Sequence, residues 1–259
     1  MICAVIPVQN EEAGVGRVLD QVLAQPVDLV IPVLNGSSDR SPEIIRNYAA
    51  DPRIAPLVFP VPLGLDIPRA VGAARARALK ASAVLFVDGD MSGEVGPALR
   101  NLLGAVTRGG LDLALTDCYP PDAAGPSSPL ARTLLDVRRL LNRALGLPGL
   151  GGASPCHGPH AVSARFLETV PLEALSVPPV ALVRSALAGL AVGVAASLPH
   201  AALGSPDRGE DHALRLAETI IGDHLEAFCV LSGKKNRSRV LRGLTFDGYD
   251  SERRRDLLF

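Results

Sequence analysis

Three short clusters hold the side chains with the most chemistry to offer: residues 7–12 (Pro-Val-Gln-Asn-Glu-Glu), 35–39 (Asn-Gly-Ser-Ser-Asp) and 88–90 (Asp-Gly-Asp). Asp88 and Asp90 are two carboxylates that an extended backbone would set on one face. Carboxylate oxygens are hard ligands that suit Mg²⁺ or Mn²⁺, ions that also bind substrate phosphates. Read alone, the triplet is also a common Asp-Gly turn. Its position argues for more. Each cluster follows directly on an apolar run, and in an open α/β sheet ligands collect at the carboxyl ends of the strands.

The elements that must hold these clusters can be read from periodicity. Residues 2–7, 29–34, 55–61, 83–87 and 111–116 are short apolar runs, expected as strands. Residues 15–23 carry Val and Leu at helical spacing, with Glu11 and Glu12 ahead of them, where negative charge suits a helix start. Ser41 is expected to cap a second helix, with Pro42 at its first position. Helices are also expected over 67–81 and 97–108. Strands alternating with helices indicate a mainly parallel α/β sheet. After Thr116 the rhythm changes. A Pro/Gly/Ser connection leads to an amphipathic helix, 130–145, with arginines on one side. Residues 146–159 are rich in Gly and Pro and are expected to form a mobile loop. A helix at 164–170, a turn at Pro178-Pro179, a helix–strand pair up to His200 and a long helix, 210–231, complete the reading.

Composition bounds the function. The chain has 259 residues, 47% hydrophobic and 20% charged, so a sizeable core is available and global disorder is excluded. A net charge of -1 gives no general drive toward nucleic acid or acidic membranes. The longest apolar stretch, 186–198, falls short of the ~20 residues that span a bilayer, and residues 2–8 are too short for the apolar core of a secretory leader. No transmembrane segment is therefore expected. Cys3, Cys118, Cys156 and Cys229 are scattered without a CxxC pair and read as reduced thiols of a cytoplasmic protein. The last segment carries Lys234, Lys235, Arg237, Arg239, Arg242 and Arg253–Arg255. It is expected to be a solvated basic terminus. Pairing with a second subunit, to give a homodimer, and contact with anionic lipid are the alternatives.

The segments AVIPVQNEEAGVGRVLDQVL, VLNGSSDRS and VLFVDGDMSG, in that order, resemble the opening strand, nucleotide loop and Asp-x-Asp motif of the family 2 glycosyltransferases. The resemblance implies an α/β GT-A fold and a nucleotide-sugar donor. It is good over residues 2–116. A closer likeness, to the retaining glucosyl-3-phosphoglycerate and mannosylglycerate synthases, rests on ARTLLDVRRLLNRALGLPGLGG and GPHAVSARFLETVP. With the change of rhythm after Thr116 as the boundary, it implies a nucleotide-sugar-binding half (1–118) and an acceptor-binding half of the same domain (119–231), followed by the basic tail (232–259).

By that resemblance Pro7, Val8 and Glu11 would line a uridine pocket, with Glu11 at the ribose hydroxyls and Asn35 at the uracil edge. Arg69 would meet the diphosphate. Asp88 and Asp90 would be the catalytic pair, Asp88 near the ribose or sugar hydroxyls and Asp90 on a divalent metal, Mg²⁺ or Mn²⁺. His200, or alternatively His212, would complete the metal shell. His157, Gly158 and His160 would contact an acceptor phosphate or carboxylate. Each has a plainer reading: Glu11 and Asn35 as cap and turn residues, Arg69 on a solvated helix face, the histidines as loop or surface residues.

The expected activity is transfer of a sugar from a UDP- or GDP-sugar to a small anionic acceptor. Glu210 and Asp211 superficially resemble the carboxylate base of inverting members, but acids in a helix's first turn need no such role. Retaining members let the donor's own phosphate take the proton. Where those synthases carry an acid near a helix start, this chain has Ser176-Val177-Pro178-Pro179. Two other readings stand beside this one. A nucleotidyltransferase would want a Gly-rich loop and a Lys near the N-terminus, which residues 7–12 lack. A catalytically degenerate module would bind nucleotide sugar, or a partner, without turnover. Aromatic residues make up 3% of the chain, which argues against a polysaccharide polymerase with a ring-lined acceptor groove.

Overall fold

Short, mostly apolar segments cross the molecule. In the computed structural model, which describes residues 1–234 and 238–258, such segments form one seven-stranded sheet. Strands β1 (Ile2–Val8), β2 (Leu29–Asn35), β3 (Leu57–Phe59) and β4 (Ala83–Phe86) pair in parallel. At the other edge β5 (Leu113–Asp117) and β7 (Val192–Ser197) are also parallel. Strand β6 (His160–Ser163) runs antiparallel between β4 and β5. The spatial order is β3-β2-β1-β4-β6-β5-β7.

Both faces are covered, as a mainly parallel sheet requires. Side chains alternate across β1: Cys3 and Val5 join one core, Ala4, Ile6 and Val8 the other. Helices α1 (Val15–Leu23), α2 (Ser41–Asn47) and α4 (Gly96–Thr107) pack on the second face. Helices α3 (Ile67–Ala78), α5 (Pro129–Ala144), α6 (Ala164–Thr169), α7 (Pro178–Leu187) and α8 (Glu210–Leu231) pack on the first. The two halves read from sequence share the sheet, because β6 and β7 come from the second and enter beside strands of the first.

The structure departs from the sequence expectations in several places. Strand β6 fills the four residues left unassigned between the expected loop and the expected helix. Residues 146–159 are not a free loop: Leu150, Ala153 and Ser154 are buried, and the Asn142 amide donates to the Gly151 and Ala153 carbonyls at 2.9 and 3.0 Å. Pro178 and Pro179 form the first turn of α7, where a missing N–H costs nothing. Ser41 makes no cap for α2, because its hydroxyl accepts the Glu11 N–H instead. One arginine of α5, Arg138, points inward and is buried.

The largest correction is the C-terminal segment. Lys235 and Arg237 lie outside the described residues, but Arg239 and Arg253 are buried beneath α8 and α3 rather than solvated. Arg239 pairs with Asp223 and Glu226 at 2.7 and 3.0 Å. Arg253 pairs with Asp66 at 2.8 Å and with Asp223 at 2.7 Å.

Candidate active site

The chain runs from β1 outward to β2 and β3, then returns as β4 on the other side of β1. The loops after β1 and β4 therefore diverge, and an open α/β sheet forms its ligand crevice at such a point. Glu11, Asp88 and Asp90 stand there.

The floor of the crevice is laced together. Glu11 N–H donates to the Ser41 hydroxyl at 2.8 Å, and Glu12 N–H to the Asp39 carboxylate at 2.9 Å. The Glu12 carboxylate accepts the Arg40 N–H at 3.0 Å, and Asn10 Oδ1 accepts the Ser38 N–H at 2.8 Å. The Val8 carbonyl accepts the Ser37 hydroxyl at 3.3 Å, and the half-buried Pro7 offers its carbonyl to Gly89 N–H at 3.0 Å. A Cβ on Gly89 would stand 2.9 Å from that Pro7 oxygen and 3.3 Å from Glu11 Cγ. The two strand-end loops can approach this closely only because residue 89 has no side chain.

Asp88-Gly89-Asp90 is a turn rather than an extended segment, closed by Met91 N–H donating to the Asp88 carbonyl at 3.1 Å. Its two carboxylates have different surroundings. Both Asp88 oxygens accept from Arg69 Nη2, at 2.6 and 2.7 Å. Arg69 comes from the first turn of α3, also pairs with Asp66, and is only 12% exposed, so it lies on no solvated face. Asp90 forms no salt bridge among the described residues; the Ser205 side chain lies beside it. Burial first, then the Asp88 charge, raises its carboxyl above the ordinary range. The Glu11 carboxylate pairs with Arg208. Burial pushes the Glu11 pKa up to about 7, with Asp90 and Asp88 adding to the rise and Arg208 opposing it.

Three carboxylates thus meet two arginines, and Asp90 has no cation of its own. That donor set fits a hard divalent ion. The histidines do not join it. His200 Nδ1 is 3.0 Å from His157 Nε2, and His212 Nδ1 is 2.8 Å from the Tyr249 hydroxyl. Neither histidine forms, with Asp88 and Asp90, a trio of ligand atoms within 4.8 Å of one another. Among the described residues that spacing occurs at Asp223, Glu226 and Asp250. Arg239, Arg253 and Arg255 already neutralise that trio.

Asn35 is 3% exposed and bonded at both ends. Its oxygen accepts the Leu63 N–H at 2.6 Å, and its nitrogen donates to Gln9 Oε1 at 3.1 Å. It holds the 63–64 loop rather than presenting a free edge. His160 is 2% exposed and stacks on Phe86 at 4.8 Å. Burial drives its pKa down to about 3, as for a core residue that stays neutral. Gly158 lies behind it with a φ of 78°. His157 is half-buried, and the Tyr119 ring stacks on both His157 and His200, at 5.5 and 5.9 Å.

Sequence reasoning missed Arg208 and Ser205. The signal was present: the stretch Gly204-Ser205-Pro206-Asp207-Arg208-Gly209 follows β7, another strand whose carboxyl end faces the crevice side.

A model of the family described as glycosyl transferase family 2 matches residues 3–164. Comparison with curated protein sequences finds no match. Among solved structures, a mycobacterial protein superposes with a TM-score of 0.64 at 20% identity, covering 93% of this chain and 78% of the other. Glucosyl-3-phosphoglycerate synthase from Mycobacterium tuberculosis, in complex with Mn²⁺, uridine diphosphate and glucosyl-3-phosphoglycerate, gives 0.62 at 20% identity, covering 93% and 83%. The same enzyme with uridine diphosphate gives 0.63 at 22% identity, with the same coverage. Among the described residues no helix is long and apolar enough to cross a membrane.

Proposed function

The chain belongs to glycosyl transferase family 2, and from that premise we propose that it moves a sugar from a UDP-sugar to a small anionic acceptor, with a divalent metal and with retention of configuration. The observation that carries this reading is the acidic turn Asp88-Gly89-Asp90 facing Glu11 at the sheet's switch point, with Asp90 lacking a cation. The Mn²⁺ and uridine diphosphate held by the structural neighbour support the donor and metal classes. Its phosphoglycerate-derived ligand supports a small anionic acceptor. Four unpaired cysteines suit a reducing compartment, the cytoplasm.

Within this reading each residue has a task. The strand-end loops at Pro7 and Val8 form a rigid wall for the nucleoside. Glu11 accepts from the ribose hydroxyls once Arg208 turns from it toward the diphosphate. Arg69 orients the Asp88 carboxylate, which faces the sugar. Asp90 would hold the metal, Mg²⁺ or Mn²⁺, whose charge would stabilise the leaving diphosphate. The acceptor oxygen bonds to the anomeric carbon as the bond to the diphosphate breaks, and the acceptor's proton passes to the leaving diphosphate. Glu210 and Asp211 are exposed acids in the first turn of α8, as suits a helix start, and α7 opens without an acid. Positioning and charge stabilisation therefore supply the catalysis.

Calorimetric titration with UDP and with GDP, each with and without Mn²⁺, tests the reading. UDP should bind only weakly without metal, and Asp90→Ala should remove the metal-dependent gain. Absence of nucleotide binding would end the proposal, and an unchanged affinity in the variant would remove Asp90 from the metal. Binding without donor hydrolysis or transfer would leave a binding module. An NMR assignment of the product's anomeric configuration decides retention.

A further inference from the structure

Arg138 occupies a core position. It shares the inward face of α5 with Leu135, Leu141 and Asn142 and is 4% exposed. The other two buried arginines of the described chain are ringed by carboxylates: Arg239 by Asp223 and Glu226, Arg253 by Asp66 and Asp223. Arg138 has none. It makes no salt bridge or hydrogen bond with any described residue, and its Nε is buried without a partner. A guanidinium cannot shed its charge at ordinary pH, and burying an unpaired charge carries a large desolvation penalty.

No carboxylate among the described residues neutralises it, and groups that can hydrogen-bond lie on the neighbouring elements. His157 and His200 bond to each other at 3.0 Å with Tyr119 stacked against both rings, and burial, then the Arg138 charge, holds both imidazoles below their ordinary range. Cys118 follows β5 and is buried, and His224 is buried on α8, which packs against α5. Two more buried polar atoms lack partners on the facing helices, Asn142 Oδ1 on α5 and His224 Nε2 on α8. The nearby acid, Asp117, is turned to the Tyr119 N–H at 2.9 Å. A buried cation without a carboxylate among the described residues, its Nε left without a partner, is an incomplete ion pair.

We propose that Arg138, together with the His157–His200 pair, receives one oxyanion, the phosphate or carboxylate of the acceptor. The planar guanidinium matches the two oxygens of either group. The ring nitrogens of His157 and His200 then exchange their mutual bond for bonds to the anion. That the anion belongs to a sugar acceptor rests on the function proposed above; the oxyanion site itself does not, and it is measured without donor or metal.

The test is thermal denaturation in an anion-poor buffer, with inorganic phosphate, glycerate or glycerol 3-phosphate added. The wild type should melt higher with added oxyanion. Arg138→Met should melt above the wild type without anion, because an unpaired buried charge has been removed, and should lose oxyanion affinity by about tenfold or more. Arg138→Lys should keep part of the response. Stabilisation by glycerate but not by phosphate assigns a carboxylate, and the converse a phosphate. An Arg138→Met protein that melts below the wild type, or that keeps the wild type's full response to the stabilising oxyanion, overturns the proposal, as does a wild type that none of these oxyanions stabilises. Should that variant not fold, the ring NMR signals of His157 and His200 in the wild type decide: no movement on addition of either phosphate or glycerate overturns it. UDP binding with Mn²⁺ is titrated in parallel. Its loss would sink the transferase reading and leave the oxyanion site standing.

Discussion

Glu11 enters the crevice with Asp88 and Asp90 in front of it and one cation, Arg208, at its side. Its carboxyl sits at about 7 in the folded chain against an ordinary 4.5. Between those values the folded protein keeps a proton that the unfolded chain has released, so stability falls as pH rises through that window. Below it both states are protonated and nothing is lost; above about 7 the full cost of the buried anion is present. Glu11→Gln fixes the uncharged form. In metal-free buffer the variant should exceed the wild type by about 1–2 kcal/mol at pH 8, allowing for partial solvent screening, and by almost nothing at pH 5. Urea denaturation at the two pH values measures this, and a gain of equal size at both would exclude Glu11 as its source. The same variant should bind UDP about tenfold or more weakly, since the charge-assisted bond to ribose proposed for Glu11 would be gone. Stability exchanged for binding in one substitution is what a functional carboxylate, rather than a helix cap, would show.

Gly158 decides how the segment before β6 turns. Its φ of 78° lies where only glycine is unstrained, and a Cβ there would stand 2.7 Å from Cys118 Sγ. Gly158→Ala should cost about 1–3 kcal/mol, part clash and part backbone strain. In a Cys118→Ala background the clash goes and about 1 kcal/mol of strain remains. A double-mutant cycle by denaturant titration separates the two, and additive losses would show that the sulfur is not the obstacle. This segment also shows where sequence reading stops. Helices α1 and α8 were legible at their ends, because Val15, Val18, Leu19 and Val22 mark one face and Glu210 and Asp211 open the other helix. The strand-end clusters were legible because each β–loop junction is local. Strand β6 was not: four residues after Gly158-Pro159 carry no period, and the strand exists only through pairing with β4 and β5. The pairing of Glu11 with Arg208 joins residues nearly two hundred positions apart, and no local pattern announces it.

Across the whole molecule, a chain of charges ties the last residues to the acidic turn. Arg253, with a fully buried side chain, donates to Asp66 at 2.8 Å, to Asp223 at 2.7 and 2.9 Å, and to the Leu65 carbonyl at 3.0 Å. Asp66 pairs in turn with Arg69, and Arg69 with Asp88. Backbone bonds follow the same path, with Arg254 N–H donating to the Leu63 carbonyl at 2.7 Å. The sequence showed the positive charges of this segment but not their partners, so charge alone suggested a solvated end. Burial reverses the energetics. A surface pair is worth little and is screened by salt, whereas removing one member of a buried pair strands the other without water. Arg253→Met leaves Asp66 and Asp223 short of a cation and should cost about 3–5 kcal/mol, little changed by 0.5 M NaCl. Arg253→Lys should fall between, because an ammonium cannot fork across two carboxylates. Arg254→Met, which disturbs an exposed pair with Asp256, serves as control and should stay within about 0.5 kcal/mol. Because the chain of contacts ends at Asp88, Arg253→Met should also weaken UDP binding while Arg254→Met does not. Urea titration read by far-UV circular dichroism should show one transition, displaced in the first variant alone. A displacement below about 0.5 kcal/mol there would return this segment to the role of a solvated terminus.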